Sequence, residues 1–254
     1  MRSASVRNAT QFVRRLGREL LEMFLPGSCC LCQGEVSNYR QPHVVCENCM
    51  AQQAKWRKCP RCSAVLIHDN ELPQDDCPEC HHLQLPFESI TAVGNYADSL
   101  GEAILTAKTH RGAATAWDLG QLLAENLPST WQIDPIIVAV PMHWTRRVRR
   151  GMNSAEILAH SLAARQGWKR QKLIACHRRL AKQSELSFTA RKNNVRGAFQ
   201  IVGPVPADRP ILLVDDILTT GSTLTEIART LRKAGAQEIH VAVVARSAGT
   251  YADV

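Results

Sequence analysis

Two adjacent carboxylates at the end of an apolar run, followed by a hydroxyl-rich turn, are the residues best placed to do chemistry. In Ile211-Leu212-Leu213-Val214-Asp215-Asp216-Ile217-Leu218-Thr219-Thr220-Gly221-Ser222-Thr223-Leu224, four β-favouring residues stop at the acids, and Leu224, Ile227, Ala228 and Leu231 then recur at helical spacing. The pattern predicts strand, acidic tip, polar loop and helix. In an open α/β sheet the ligand crevice lies off the carboxyl ends of the strands, so Asp215 and Asp216 are expected at its edge. Thr219, Thr220, Gly221, Ser222 and Thr223 then sit at a helix N-terminus, where backbone N–H groups, the helix dipole and the hydroxyls make a seat for a phosphate. Carboxylates repel phosphate, so their partners beside it are sugar hydroxyls or a magnesium ion that the ligand also coordinates. One loop can thus hold a ribose 5-phosphate by both ends. The competing interpretation is an ordinary capped strand-to-helix turn with two solvated acids; the order of strand, acid pair, TTGST and helix weighs against it.

Charge points the same way. The chain carries 31 Lys and Arg against 23 Asp and Glu, and fourteen of the basic residues fall between Met142 and Arg196 with only Glu156 and Glu185 opposing them. Phosphates are the expected partners of that face; charge alone does not separate nucleic acid from a polyphosphate ligand. Within it, Pro141 to Asn153 reads as a second crevice-edge loop, dense in guanidinium groups suited to pairing a diphosphate. The polar segment Gln183 to Phe199 is long enough to act as a lid. Lys169, Arg170, Lys172, Arg178 and Arg179 read as an outer cluster beyond the crevice, and Trp144, Trp168 and Phe188 as aromatic residues that could stack bases if they are not core.

Nine of the ten cysteines lie between Cys29 and Cys80, in four CxxC knuckles: Cys29/Cys32, Cys46/Cys49, Cys59/Cys62 and Cys77/Cys80. Such turns bring two thiolates to one ion, and two turns complete a closed tetrahedral site, so two structural zinc ions are expected. The similar gaps within each half suggest a repeated ribbon with knuckles paired in sequence; an interleaved pairing stays open. Cys30, His43, His68, His81 and His82 are possible substitute ligands, and Cys176 stands apart. With no secretory signal read ahead of the cluster, a reducing compartment is expected, and redox use of four CxxC pairs without a surrounding βαβ pattern is disfavoured.

The elements that position these residues follow from periodicity. Residues 1–25 form an expected basic amphipathic helix, with Val13, Leu16, Leu20 and Phe24 on one side; it reads as a helix docked on its own protein or as a membrane-surface or targeting segment. Residues 26–85 form the double zinc ribbon, and 86–254 an α/β domain. There the strands are Ile90 to Tyr96, Ile136 to Val140, 211–214 and Ile239 to Val244, and the helices Leu100 to Lys108, Ala113 to Leu127, Met152 to Gln166 and the segment ending at Gly235. Alternation of strands and helices implies a mostly parallel, doubly wound sheet. With 45% apolar residues the chain can fill such a core, and no apolar run reaches the roughly 18 residues of a membrane span.

The 211–224 stretch closely resembles the 5-phosphoribosyl-1-diphosphate (PRPP) loop of type I phosphoribosyltransferases. The resemblance implies that Asp215 and Asp216 hold the ribose hydroxyls with magnesium, and that Thr219 to Thr223 hold the 5′-phosphate. Together with four cysteine knuckles, Lys108-Thr109-His110-Arg111-Gly112, a VPMH strand end, an RRGMN loop and a Q…R…NVRGAF lid, the chain from Leu25 onward resembles ComF-type proteins. That family is associated with natural competence and DNA uptake and includes relatives named for gluconate metabolism. It implies a type I phosphoribosyltransferase-like doubly wound sheet with a small N-terminal zinc-ribbon module, and Lys108, His143, Arg146, Arg150 and Arg191 as diphosphate or lid residues. Two departures are Gly151-Met152-Asn153-Ser154 where the family often has Gly-Phe-Asn-Gln, and Ala107-Lys108-Thr109 where it often has Leu-Lys-Tyr.

The resulting expectation is a PRPP-binding protein acting in DNA uptake or natural transformation in the cytoplasm, with possible contact to the inner membrane surface. Single-stranded DNA and a DNA-uptake or recombination protein are its candidate partners. The alternative is an active phosphoribosyltransferase using an unidentified base. Only ten residues follow Val244, so a base-binding hood is not expected there, and base recognition would fall to the cysteine module or to residues 87–130.

Overall fold

Near-continuous apolar runs in the strands give a sheet with two hydrophobic faces, and the fold is those two faces covered. A computed structural model describes residues 28–36, 45–54, 57–64, 77, 86–129, 131, 133–181 and 188–247. The N-terminal segment 1–25, Cys80 and His43, His68, His81 and His82 lie outside the described residues. Strands β1 (Ser89–Asn95), β6 (Ile239–Arg246), β5 (Ile211–Leu218) and β2 (Ile136–Ala139) lie side by side in that order, all parallel. Ile211, Leu213, Ile239, Val241 and Val243 face one side, where helix α7 (Ser222–Lys233) packs Leu224, Ile227, Ala228 and Leu231. Leu212, Val214, Ala242 and Val244 face the other, under helices α2 (Asp98–Ala107), α3 (Ala113–Glu125) and α5 (Ser154–Gln166). The period-2 alternation of a two-sided sheet is thus met by helices on both sides.

Two details differ from the periodicity argument. β5 does not stop at Val214; it continues through both acids to Leu218, because the eight-residue β6 is buried along its whole length and pairs with β5 as far as Leu218↔Arg246. The guanidinium-rich loop contains a helix, α4 (Trp144–Arg150), and part of the polar lid is helix α6 (Phe188–Val195). Strands β3 (Ile174–Cys176) and β4 (Phe199–Ile201) form a small antiparallel pair that carries this lid.

The cysteine segment shares both cores with the sheet. Cys29, Cys30, Leu31, Val45 and Cys49 pack with α2, α3 and α5, whereas Cys59, Cys62, Ala64 and Cys77 pack with Phe87, Ile90 and the α7 face. Helix α1 (Glu47–Ala54) carries Cys49, so the second pair of the first half sits at a helix start rather than on a ribbon turn.

Helices α3 and α5 pack closely at Gly120, where an added Cβ would lie 2.6 Å from Ser161 Cβ and 2.8 Å from the Leu158 carbonyl oxygen. Ser161 cannot yield easily, since its hydroxyl donates to the Trp117 carbonyl at 2.6 Å and accepts from Gln121 Nε2 at 2.7 Å. Gly120→Ala should therefore destabilise the protein despite a helix-propensity gain of up to ~1 kcal/mol, because overpacking costs about 1–3 kcal/mol. Urea unfolding measures the balance; a Gly120→Ala protein as stable as the parent would show that α3 and α5 have room to part.

Candidate functional site

The two acids sit on consecutive residues of a strand and so point to opposite sides of the sheet. Asp216 turns toward the α2 and α5 side. Its Oδ1 lies 3.0 Å from Lys108 Nζ at the end of α2, and its Oδ2 accepts from Ser154 Oγ at 2.8 Å at the start of α5. Asp215 Oδ1 accepts from the Asp216 N–H at 2.8 Å. Burial, and then the charge of Asp216, push the Asp215 carboxyl up to about 7, against the lowering effect of that backbone hydrogen bond and of Lys108 and Arg146. Two carboxylates this close, with one largely desolvated, need cations or donors to stay ionised together.

The turn expected from sequence to seat a phosphate comes next. Gly221 has φ +71°, the left-handed conformation that lets the chain leave β5 and enter α7 without strain. Gly221, the residue before α7, carries no side chain that could cap the helix, so its backbone can come close to a ligand. Thr220 Oγ1 and Ser222 Oγ lie 3.0 Å apart and bond to each other, which fixes the hydroxyl rim of the turn. Thr219 and Thr223 line the adjoining cavity.

Opposite stands α4. His143 caps it by accepting from the Thr145 N–H at 3.3 Å through Nδ1, and Gly151, at φ +77°, closes its other end. Within one short helix, Arg146, Arg149 and Arg150 fall at spacing of three and four and line the cavity, while Arg147 pairs with Glu156 at 2.7 Å. Burial and the neighbouring charge of Arg146 pull Arg150 below its ordinary value, which Asp216 partly offsets. Asn153 Nδ2 donates to the Val140 carbonyl at 3.1 Å and fixes the return of the chain to the end of β2.

These pieces enclose one cavity of about 1000 Å³ that brings together Asp215, Asp216, Thr219, Thr223, Lys108, His143, Arg146 and Arg150. Arg191 lies on α6. The presumed outer cluster divides: Arg179 lines the cavity, and Arg178 donates to the Asn194 and Arg196 carbonyls at 2.8 and 3.0 Å, bracing the lid. Lys169, Arg170 and Lys172 stay exposed, beside the bridge from Arg170 to Ile137. Trp144 is 67% exposed and Val148 76%, so α4 presents an apolar outer side. Ser154 and Arg149 were not singled out from sequence. Arg149 shares the helical spacing of Arg146 and was legible once the segment is read as a helix; Ser154 has no such signal.

The cysteines form two groups. The sulfurs of Cys29, Cys32, Cys46 and Cys49 lie within 4.8 Å of one another, as do those of Cys59, Cys62 and Cys77. A tetrahedral ion with bonds of about 2.3 Å requires sulfurs roughly 3.8 Å apart. Cys32 to Cys46 is 3.7 Å and Cys62 to Cys77 3.4 Å, so the donors fit such an ion. The turns at Cys29 and Cys59 are alike: each cysteine N–H donates to the carbonyl five residues on, and Gln33 and Ser63 both take positive φ. Hydrogen bonding from Cys62 holds the Cys59 thiol down at about 4, favouring the thiolate. Cys30 belongs to neither group, and burial, with Asp118 next, pushes its thiol up.

The state of Asp215 makes stability depend on pH. Its carboxyl binds a proton in the folded chain at pH values where the unfolded chain has lost it, so this contribution is fully present below about pH 4 and is lost as pH rises through about 7. Asp215→Asn should therefore raise the melting temperature above that of the parent at pH 8, and the difference should shrink toward pH 4. A constant difference across that range would show that Asp215 is not desolvated.

Comparison with known proteins places these features in a family. Residues 154–254 match the phosphoribosyl transferase domain, covering β5, the acid pair and the phosphate seat. DNA utilization protein YhgH of Salmonella typhimurium is 30% identical over 231 residues, 88% of this chain and 98% of that protein, and its Escherichia coli K12 counterpart is 30% identical over 233 residues, with the same coverage. Competence protein F of Haemophilus influenzae is 27% identical over 231 residues, 86% of this chain and 96% of that protein. The similarity runs through the cysteine segment and the α/β domain alike, and the chain belongs to the ComF-type family of phosphoribosyltransferase-fold proteins that includes YhgH and Competence protein F.

Proposed function

We propose that this protein binds PRPP with magnesium and serves the use or uptake of DNA. The observation that carries the reading is the meeting, in one cavity, of the acid pair on β5, the hydroxyl turn that leads into α7 and the arginine side of α4. Asp215 and Asp216 accept hydrogen bonds from the ribose 2′ and 3′ hydroxyls, and the N–H groups and hydroxyls of Thr219 to Thr223 take the 5′-phosphate. Arg146, Arg149 and Arg150 face the diphosphate, with Lys108 and His143 at the same wall. Asp215 and Asp216 would also hold magnesium, which would supply neutralisation of the ligand's charge. The place in DNA metabolism rests on the relatives' names, and single-stranded DNA along the exposed Lys169, Arg170 and Lys172 is the contact we favour. Among the described residues no helix is long and apolar enough to cross a membrane; contact with the inner membrane surface would fall to the basic segment 1–25.

A second reading, transfer of ribose 5-phosphate from PRPP to a base, is favoured by the apolar part of the cavity wall, where Tyr96, Leu105, Met142, Leu180 and Phe199 line the same cavity as the acids. Calorimetry decides the first reading: PRPP with magnesium should bind the parent and fail to bind an Asp215→Asn, Asp216→Asn double variant that keeps its fold, since each acid gives the ribose charge-assisted hydrogen bonds of about 1.5–3 kcal/mol. Unchanged affinity in the double variant would refute it. Diphosphate release on adding a base would establish turnover, and a single-stranded DNA titration with a salt slope of about 0.7 per phosphate contact would establish the nucleic-acid arm.

Both cysteine groups fit zinc, with Cys80 as the expected fourth ligand of the second. Metal analysis should find two zinc ions per chain and one in Cys46→Ser; protein purified without chelators and free of zinc would overturn this assignment.

A further inference from the structure

We propose that Arg246 is a positioning residue that ties the Cys59/Cys62 knuckle to the phosphate seat, so that the metal state of Cys59, Cys62 and Cys77 sets the affinity of the seat for phosphate. The inference rests on reading Thr219 to Thr223 as that seat.

The knuckle is docked on the outer edge of β1 by several bonds. The Ile90 N–H donates to the Arg61 carbonyl at 2.8 Å, Ser63 Oγ donates to the Ile90 carbonyl at 2.8 Å, and the Ala92 N–H donates back to Ser63 Oγ at 3.2 Å. Lys58 Nζ donates to the Ala92 and Val93 carbonyls. The edge strand is thereby completed by a turn whose shape depends on its cysteines.

Arg246 links that turn to the site. It is the last residue of β6, only 3% exposed, and its guanidinium donates to the Cys62 carbonyl at 2.5 Å. A guanidinium stays charged at all relevant pH and is stable in a buried place only with its acceptors in position. The backbone of Arg246 pairs with Asn95 on one side and with Leu218 on the other, and the next N–H, of Ser247, donates to the Leu218 carbonyl at 2.8 Å. Leu218 immediately precedes the seat, and Ser247 lines the cavity. If the knuckle opens, Arg246 loses its Cys62 acceptor, and the guanidinium resettles with the ends of β6 and β5, to which Thr219 is joined.

The test uses the full zinc-loaded chain and three variants: Arg246→Gln, Arg246→Lys and Ser63→Ala. The first readout, which needs no ligand, is amide hydrogen exchange over residues 217–225; the second is PRPP affinity with magnesium; the third is zinc content. Arg246→Gln should speed exchange in that segment and weaken PRPP by about tenfold, the scale of one hydrogen bond to a charged group, with both zinc ions retained. Arg246→Lys should recover most of the affinity, and Ser63→Ala, which loosens the knuckle without touching Arg246, should fall between. Chelator-stripped parent should reproduce the exchange of Arg246→Gln. Parent-like exchange and affinity in Arg246→Gln, or protection of 217–225 that survives stripping, would overturn the proposal. Should Arg246→Gln fail to fold, Ser63→Ala decides by the same measures. If the parent itself does not bind PRPP, the ligand reading fails, and hydrogen exchange alone still decides the coupling.

Discussion

Two like charges on neighbouring residues of a strand, at the border of a buried sheet, are the constraint around which this molecule is arranged. At low local dielectric the pair repels strongly, and each member must be answered by a donor or a cation. The answers come from separate parts of the chain: a backbone N–H for Asp215, a hydroxyl from the start of α5 and an ammonium from the end of α2 for Asp216. Arginines of α4 supply the wider positive field. Asp215 remains poorly satisfied even so, and its carboxyl is pushed up to about 7. An acid held against its preference in this way lowers the stability of the fold wherever it is ionised.

The cationic wall depends on an unusual helix. Trp144 to Arg150 has almost no apolar period, and among its residues none is buried. Its order comes from its ends, the imidazole of His143 accepting at the start and the left-handed Gly151 at the finish. The result is that three guanidinium groups share a side of the helix that faces the acids, while a fourth is drawn off to Glu156. Fixed on a helix rather than on a loop, they would lose less entropy on closing over the proposed diphosphate.

How much of this could be read from the residues divides along the range of the interactions. The strand and helix at 211–233, the helices at 113–125 and 154–166 and the strand at 136–139 follow from local periodicity, and the parallel order follows from their alternation. The CxxC spacing likewise marks the cysteines that gather, because each knuckle is a local turn. The helix α4 was missed since its stability lies in caps and not in apolar spacing. The extension of β5 through the acids was missed since it depends on the length of β6 beside it. Contacts such as Ser154 with Asp216, 62 residues apart, or Arg246 with Cys62, 184 apart, have no local signature at all. The acids themselves were legible, but the partners that govern their ionisation were not.

The docking of the Cys59/Cys62 knuckle on β1 has a consequence for solubility. A parallel sheet that ends in an unsheathed strand offers its free N–H and C=O groups to any other chain in extended form, and such an edge seeds association. Here the groups of Ile90 and Ala92 are engaged by Arg61 and Ser63, and the Ala92 and Val93 carbonyls are covered by the Lys58 ammonium. The cysteine turn therefore acts as a guard over the sheet border. With the zinc proposed above holding that turn, a newly made chain without the ion would expose β1 as a template for strand addition, and its fate would be set by the race between metal capture and aggregation.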